Sequence, residues 1–410
     1  MAAENSSENI MRLGDINISR INLEPLIFVH DYRTKLFMQF GEILKNTQVG
    51  KDLVKVLNED ERVKKLNRKL ISYGGWGKLF EVETLAMWFL WYANRVGQEQ
   101  AQNSLDEFLW KDEIQVQNTL WVLGVEVDEA INIGDRYIIR PIDNMLDSRD
   151  KERFIQNRFE VIHQSMPMSI SAVTCSCNIQ KIYEDSREQN FYLSQFFKVS
   201  ENLYEISLLL NVIDGISCLP YYSTSYVNDS TPFGPFSSSC GSTEVYDVIG
   251  FGTSKFSKYN LTEFNQVFSS FNRLAKPEKD RFRIILNRLS QSKRRMQIED
   301  KILDLGIALE MMLLNDNRNN DQLSLSFRLR GSWFLCSTSQ ERLEIYKKLK
   351  DIYNYRSQVA HSGILCGGNE GKKRQVTEAF TEYQNIAGRI CRKLIINGMP
   401  DWDRVVLDTI

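Results

Sequence analysis

The sequence predicts an α+β fold in which a mixed helical and β-rich N-terminal region precedes an all-helical C-terminal part. Short runs of β-branched and aromatic residues bounded by turn residues concentrate between about residues 118 and 255. Before and after that stretch, apolar residues recur at three- and four-residue steps, which is the period of an amphipathic helix. With 42% apolar and 25% charged residues in 410, the chain has room for two or three ordinary globular domains.

The first predicted region, residues 1–117, is mainly helical. The segment from Lys51 to Leu70 has a helical apolar stripe, and the segment from Glu83 to Val96 is apolar and aromatic. Between them, the glycines of Tyr73–Gly77 are best explained by a tight turn, and the alternative is a loop that holds a ligand. No Walker-type phosphate loop occurs in the chain, so we do not expect an ATPase.

The second region, residues 118–255, is predicted to be β-rich. Strands are expected over four segments: Thr119–Val122, Tyr137–Ile139, Ala172–Ile179 and Leu203–Val212. Pro220–Ser254 is rich in Ser, Thr, Gly and Tyr, which predicts a long loop or a turn-laden hairpin. Within it, Pro232–Phe236 would present two aromatic rings either to a partner or to its own domain.

The third region, residues 256–410, is predicted to be helical, and one of its helices has a cation on its apolar stripe. From Glu341 onward the stripe runs through Leu343, Tyr346, Leu349, Ile352 and Tyr353, and its next position is Arg356. A cation there indicates an interior pair, an interface or a bound anion. His361 follows five residues later, about 140° further around an ideal helix, so the two side chains meet only if the helix loosens or the arginine reaches along it.

Arg356 and His361 together suit phosphodiester chemistry. A guanidinium holds a phosphate oxygen through a planar fork of donors, and an imidazole moves a proton near neutral pH. The other interpretation is an arginine that pairs with a buried carboxylate and a histidine at a frayed helix end. Of the three histidines, His30 and His163 adjoin apolar stretches, which favours a core role for those two.

Glu310 lies in a segment that is apolar on nearly every side, from Ile302 to Leu314. A helix of this kind is buried, and a carboxylate inside it must be paired or protonated. The candidate partners are Arg356, Arg328 and Arg330. The pair could orient Arg356 for chemistry or simply fix how two helices pack.

Three blocks of the C-terminal third form a recognisable series. They are the helix from Asp304 to Leu314, the segment Leu323–Leu335, and the segment Glu341–Gly363 with its R-x-x-x-x-H pair. In their order and separation, these blocks resemble the helical core of the HEPN superfamily, and specifically of the ApeA-like group of bacterial defence proteins.

The resemblance implies an all-α bundle that acts as a metal-independent endoribonuclease without a cofactor. It implies a homodimer in which two R-x-x-x-x-H pairs face each other, with His361 as general acid/base, Arg356 as charge stabiliser and Glu310 orienting Arg356. Many active members have Asn, Asp or His after the arginine, whereas this chain has Ser357. The alternative is therefore a non-catalytic dimerisation or binding module.

Charge is unevenly distributed along the chain. From Leu261 onward there are 25 Lys and Arg against 18 Asp and Glu, a net +7, and the residues before it have a net −9. Two basic runs are candidate RNA contacts, although a solvated helix face explains either one: Lys293-Arg294-Arg295 and Lys372-Lys373-Arg374.

Cysteine usage and the N-terminus predict a cytoplasmic protein without a membrane segment. Seven cysteines, an odd number, do not resemble a secreted disulfide framework, and no apolar run approaches the roughly 18 residues that span a bilayer. Cys175 and Cys177 match no standard zinc spacing. From the HEPN resemblance we further expect an effector of antiviral defence that cuts tRNA or mRNA in single-stranded loops, with residues 1–255 sensing a phage-derived trigger or restraining the effector.

Overall fold

The computed structural model describes residues 12–18, 32–73, 76–145, 151, 169–183, 189–227, 230–232, 240–243, 253–315 and 322–407. Within these ranges the chain has the predicted α+β architecture. An antiparallel sheet follows an N-terminal group of helices, and a long run of helices completes the chain.

The N-terminal part consists of helices around one small hairpin. The helices are α1 (Tyr32–Asn46), α2 (Gln48–Glu59), α3 (Glu61–Leu66), α4 (Val82–Val96) and α5 (Gln98–Trp110). Strands β1 (Leu70–Tyr73) and β2 (Trp76–Leu79) pair antiparallel, with Tyr73 opposite Trp76. Helix α4 is buried along most of its length, so it forms the centre of this core and confirms the predicted apolar helix.

The main sheet is antiparallel and has six strands in the order β10-β9-β3-β7-β6-β5. Their bounds are β3 (Glu113–Leu123), β5 (Ile131–Ile133), β6 (Tyr137–Pro141), β7 (Ile170–Gln180), β9 (Leu219–Val227) and β10 (Cys240–Thr243). The short strand β4 (Val125–Glu126) pairs in parallel with β11 (Ser254–Lys255). The strand after β7, β8 (Ile182–Tyr183), pairs with β1 and so joins the main sheet to the N-terminal hairpin.

Strand β3 contributes to three apolar cores among the described residues, because its side chains alternate between the two faces of the sheet and its two ends lie in different cores. On one face, Ile114 and Val116 belong to the N-terminal core, and Leu120 and Val122, further along the strand, belong to the large C-terminal core. Trp121, on the other face, belongs to a small third core. The predicted boundary between residues 117 and 118 therefore falls inside a strand.

Helix α6 (Gln189–Leu210) packs against β3, β7 and β9 and also against the C-terminal helices. Those helices are α7 (Lys258–Arg273), α8 (Lys276–Arg294), α9 (Ile298–Leu313), α10 (Leu323–Leu335), α11 (Ser339–Ser362), α12 (Glu370–Asn397) and α13 (Trp402–Leu407). Their apolar side chains form one continuous core with the end of α6 and the sheet residues next to it.

The turn after α6, residues 211–218, is fixed to the C-terminal helices by hydrogen bonds. The Asn211 side chain closes the turn by bonding both the N–H and the carbonyl of Cys218, at 3.0 and 2.8 Å. Lys293 Nζ donates to the carbonyls of Asn211 and Ile216, and Arg392 Nη1 donates to the Val212 carbonyl at 2.9 Å. Two cations therefore bind backbone carbonyls at the C-terminal end of α6, where they complement the helix dipole.

The predicted strands at Thr119–Val122, Tyr137–Ile139 and Ala172–Ile179 are confirmed by β3, β6 and β7. The predicted strand over Leu203–Val212 is wrong, because these residues form the last turns of α6 and the turn after it. A run of buried apolar residues has no clear period, so it does not distinguish a buried strand from a buried helix.

The loop predicted over Pro220–Ser254 is only partly confirmed. Its first residues form β9, which pairs with β3 inside the sheet, and β9 pairs with β10 as a hairpin would. Of the candidate partner segment Pro232–Phe236, residues 233–236 lie outside the described residues.

We predict that Gly388→Ala weakens the contact between α12 and the 211–218 turn. A Cβ at Gly388 would lie 3.1 Å from the Val212 carbonyl oxygen, which is backbone and cannot rotate away. Gly371→Ala is the matched control, because in the same helix its Cβ would lie 3.4 Å from a side-chain oxygen at an exposed position. Both changes gain about 1 kcal/mol of helix propensity, so urea unfolding should show Gly388→Ala less stable than Gly371→Ala by about 1–3 kcal/mol. Equal stability would contradict the close packing.

Candidate active site

The helix that bears the R-x-x-x-x-H pair, α11, is defined at both ends by its sequence. At the start, Thr338 and Glu341 form a capping box, with the Thr338 hydroxyl accepting from the Glu341 N–H at 3.3 Å. Ile345, Leu349, Ile352 and Val359 are buried, and they hold one face of the helix against the bundle. At the end, Gly363 adopts φ 70°, a left-handed conformation that closes helices.

Arg356 lies between α11 and α9 and pairs with Glu310. Its Nη2 donates to Glu310 Oε2 at 2.8 Å, and the two side chains are 30% and 23% exposed. Of the three candidate partners, the other two are engaged elsewhere: Arg328 bonds the Ser324 carbonyl and Arg330 bonds the Leu313 carbonyl. The predicted pairing of Glu310 with Arg356 is therefore what the structure shows.

Gly306 makes this pairing sterically possible. A Cβ at Gly306 would lie 2.5 Å from Arg356 Cγ and 2.8 Å from its Cβ, so the aliphatic stem of the arginine occupies the space that any other residue would fill. An isolated glycine inside an apolar helix is the sequence signal for such a close approach. Gly306 is therefore a site residue that is absent from the sequence-based prediction.

The electrostatics of the pair favour a partly desolvated site. Burial raises the pKa of the Glu310 carboxyl above its ordinary value, and the Arg356 guanidinium counters only part of that rise. The Arg356 Nε is buried and has no hydrogen-bond partner within the described residues. One donor of the guanidinium is thus unused by the protein, although a buried donor is normally satisfied.

His361 is exposed in the last turn of α11. The helix does not loosen before Ser362, so Arg356 and His361 lie about 140° apart around the helix and about 7.5 Å apart along it. No hydrogen bond joins them in the described chain. A single subunit therefore does not bring the two predicted catalytic side chains together.

A pocket of about 600 Å³ opens beside Arg356, between α8, α9, α10 and α11. Its lining comprises Arg281, Glu310, Met311, Leu314, Asn315, Leu323, Tyr353 and Arg356. The sequence did not single out Arg281, Asn315 or Leu323, and it gave Tyr353 only a packing role. Four separate elements contribute to this pocket, so no local pattern could have located it.

The first basic run is not the predicted row of phosphate contacts. Lys293 is only 9% exposed and binds two backbone carbonyls, so its assignment as an RNA contact is wrong. Arg295 pairs with the buried Asp304 at 3.0 Å, and Arg294 is half-buried and engaged. In the second run, Lys372 is exposed, Lys373 pairs with Glu299 at 2.8 Å, and Arg374 pairs with Glu378 at 3.2 Å. The second run therefore offers the more accessible charge.

Among the described residues, no group of three or more His, Cys, Asp or Glu could hold a metal ion. Cys175 and Cys177 are free thiols on β7, and burial raises the pKa of both. No helix within the described ranges is both long enough and apolar enough to cross a bilayer.

Three comparisons with known proteins found no match to this chain. No protein-family model matches the chain, and neither the curated proteins nor the solved structures include a match. The functional interpretation therefore depends on the chemistry of the residues themselves.

We predict that Gly306→Ala displaces Arg356. The added methyl overlaps the arginine stem close to its backbone, so α9 and α11 must separate or the Arg356–Glu310 pair must break. The expected loss of stability in urea unfolding is about 1–3 kcal/mol, beyond what the better helix propensity of alanine restores. A variant as stable as the wild type would show that the two helices do not approach this closely.

We predict that Lys293→Met affects stability and not RNA binding. The methionine replaces the lysine stem but not its amino group, which leaves two carbonyls without donors, at about 1–3 kcal/mol each. Burial lowers the pKa of Lys293 to about 8 from 10.5. A lowered pKa means that the folded state binds the proton less tightly, so wild-type stability should rise between pH 8 and 10.5. Burial also lowers the pKa of Lys181 to about 8, and that contribution is present in both proteins. In urea titrations the rise should therefore be smaller in the variant than in the wild type, and an equal rise in both would contradict the assignment.

Proposed function

We propose that this protein is a metal-independent endoribonuclease of the HEPN type. The observation that supports it best is a guanidinium held at the edge of an open pocket, with an exposed histidine five residues later on the same helix. Arg356 lines the pocket and its side chain is 30% exposed, so the accessible part of the guanidinium suits an anionic group of the substrate.

In the proposed reaction, His361 takes the proton from a ribose 2′-hydroxyl as its oxygen attacks the adjacent phosphorus. The bond from phosphorus to the 5′-oxygen breaks, and the leaving oxygen takes up a proton from water, to which His361 returns the proton that it accepted. The products are a 2′,3′-cyclic phosphate and a 5′-hydroxyl end. Arg356 stabilises the negative charge that develops on the phosphate oxygens, and Glu310 orients the guanidinium.

The separation of Arg356 and His361 around α11 favours a site shared by two subunits. In a homodimer built on the C-terminal helices, the two copies of α11 could face each other across a two-fold axis. An arginine from one copy and a histidine from the other would then approach one phosphate. The dimer is thus part of the proposed site and not only a means of assembly.

For the cellular role, we propose an effector of bacterial antiviral defence that acts on RNA in the cytoplasm. The substrate would be tRNA or mRNA cut in single-stranded loops, where the backbone can bring the 2′-oxygen into line with the leaving group. Residues 1–255 would sense a phage-derived trigger or restrain the helical part. The contact through which they could do so is the 211–218 turn, which is bonded to α8 and α12.

The second candidate is a non-catalytic dimerisation module. It is favoured by the same Arg356–Glu310 pair, which fixes how α9 and α11 pack whether or not RNA is bound. In that case Arg356 contributes to stability alone, and the exposed His361 has no required partner.

We predict that the purified protein cleaves RNA in the presence of EDTA and that His361→Ala slows cleavage by about 10²–10⁴-fold. Because His361 is exposed, its replacement should leave the unfolding curve unchanged. Gln358→Ala, at another exposed position one turn earlier, is the matched control and should cleave at the wild-type rate. The measurement is the rate at which cyclic-phosphate ends appear on a labelled RNA.

Arg356→Ala should also abolish cleavage, but it leaves Glu310 without its partner, so its stability must be measured in parallel. Undiminished cleavage by well-folded Arg356→Ala or His361→Ala protein would eliminate the nuclease proposal. Loss of cleavage on adding EDTA would point to a metal-dependent site elsewhere.

A further inference from the structure

The pocket beside Arg356 has one charged side and one apolar side. The charged side consists of Arg281, Glu310 and Arg356, and the apolar side consists of Met311, Leu314, Leu323 and Tyr353. Its volume of about 600 Å³ lies within the range typical of small-molecule sites. Catalysis at the scissile phosphate needs only Arg356 and Glu310 from this set, so the rest of the pocket has no role in the reaction described above.

Among the described residues that line the pocket, the charged side contains two guanidiniums and one carboxylate, and burial raises the pKa of that carboxyl. Arg281 is held in place by its own hydrogen bond, from Nη2 to the Met311 carbonyl at 2.5 Å. Arg356 is held by Glu310, and its side chain, which is 30% exposed, lines the pocket. Fixed cations of this kind favour an anionic ligand, and a guanidinium suits phosphate.

The apolar side offers a rigid aromatic ring. The Tyr353 ring packs against buried Phe327, with ring centroids 5.3 Å apart, and this contact holds it at the pocket wall. Met311, Leu314 and Leu323 are only half-buried, so part of their apolar surface faces the pocket. At the rim, Asn315 Oδ1 accepts from Trp402 Nε1 at 3.1 Å, which fixes the direction of the amide. A flat ligand with a polar edge would fit this surface.

We propose that the pocket is a subsite for one nucleotide of the RNA, with its phosphate against Arg356 and its base against Tyr353 and Leu323. This inference rests on the proposed endoribonuclease function and extends it, because a base held in this pocket would give the enzyme a preference at one position beside the cut. Aromatic side chains bind single-stranded bases by stacking, which is how proteins commonly hold unpaired RNA.

The first test measures binding without cleavage. The full-length His361→Ala protein is titrated with each of the four nucleoside 5′-monophosphates, and with ribose 5-phosphate as the probe that lacks a base. We expect the mononucleotides to bind more tightly than ribose 5-phosphate. Tyr353→Leu should lower the affinity for mononucleotides by roughly ten- to hundredfold and so remove this difference. Leucine keeps the apolar contact with Phe327 while removing the stacking ring.

Tyr346→Leu is the matched control. Tyr346 lies two turns earlier on α11, its ring is covered by the Arg328 guanidinium at 5.0 Å, and it does not line the pocket. Its replacement should not change mononucleotide binding. Equal weakening by both leucine variants would mean that the effect comes from helix packing and would overturn the assignment.

The second test maps the cut positions of wild-type and Tyr353→Leu protein on an RNA of random sequence. A base preference next to the cut that Tyr353→Leu removes, with the Tyr346→Leu pattern unchanged, supports the subsite. An unchanged preference together with unchanged mononucleotide binding overturns it even if the protein is an active nuclease. If the wild type cuts no RNA but binds mononucleotides through Tyr353, the nuclease proposal fails and nucleotide binding in this pocket stands.

Discussion

Arg356 is the residue on which the arrangement of the C-terminal helices and the proposed chemistry both depend. Its stem passes over Gly306, and its guanidinium ends at Glu310 one turn further along α9. An arginine at a position where the helix pattern asks for an apolar residue would normally be costly, because burying a charge requires a partner. Here the glycine supplies space and the glutamate supplies the partner, so α9 and α11 pack closely with a cation between them.

The same constraint shapes what the site can do. Because Arg356 is fixed on the α9 side of α11, it cannot swing around the helix to reach His361. Its guanidinium instead faces a pocket with an apolar wall, and His361 faces solvent. One chain thus holds Arg356 and His361 on different sides of one helix, which is why a second copy is part of the proposed site.

The sheet and the helical part contact each other through α6, the 211–218 turn and a shared apolar core. The turn receives hydrogen bonds from α8 and α12 and follows directly from α6, which covers the sheet. Two of these bonds come from Lys293, which is buried. In the proposed role, a restraining N-terminal region would act on the C-terminal helices through these contacts.

Periodicity predicted the parts of the fold in which one face of an element is buried. The stripe through Leu349 and Ile352 predicted α11 and the unusual position of Arg356 on its apolar face. The all-apolar surroundings of Glu310 predicted a carboxylate that is paired inside a buried helix. Leu203–Val212 was wrongly predicted as a strand because it is buried on all sides and has no readable period. Lys293 resembled a surface cation because its partners are backbone carbonyls distant in sequence. The pocket depends on how four helices pack, which sequence spacing does not specify.

The most direct measurement of the central claim uses the substrate rather than the protein. An RNA oligonucleotide is made with a single 2′-deoxy substitution at a mapped cut site and is incubated with the wild-type protein and a chelator. We expect that cleavage stops at that position and continues at unsubstituted sites, because the proposed nucleophile is the ribose 2′-oxygen itself. Continued cutting at the deoxy position would contradict the proposed roles of His361 and Arg356.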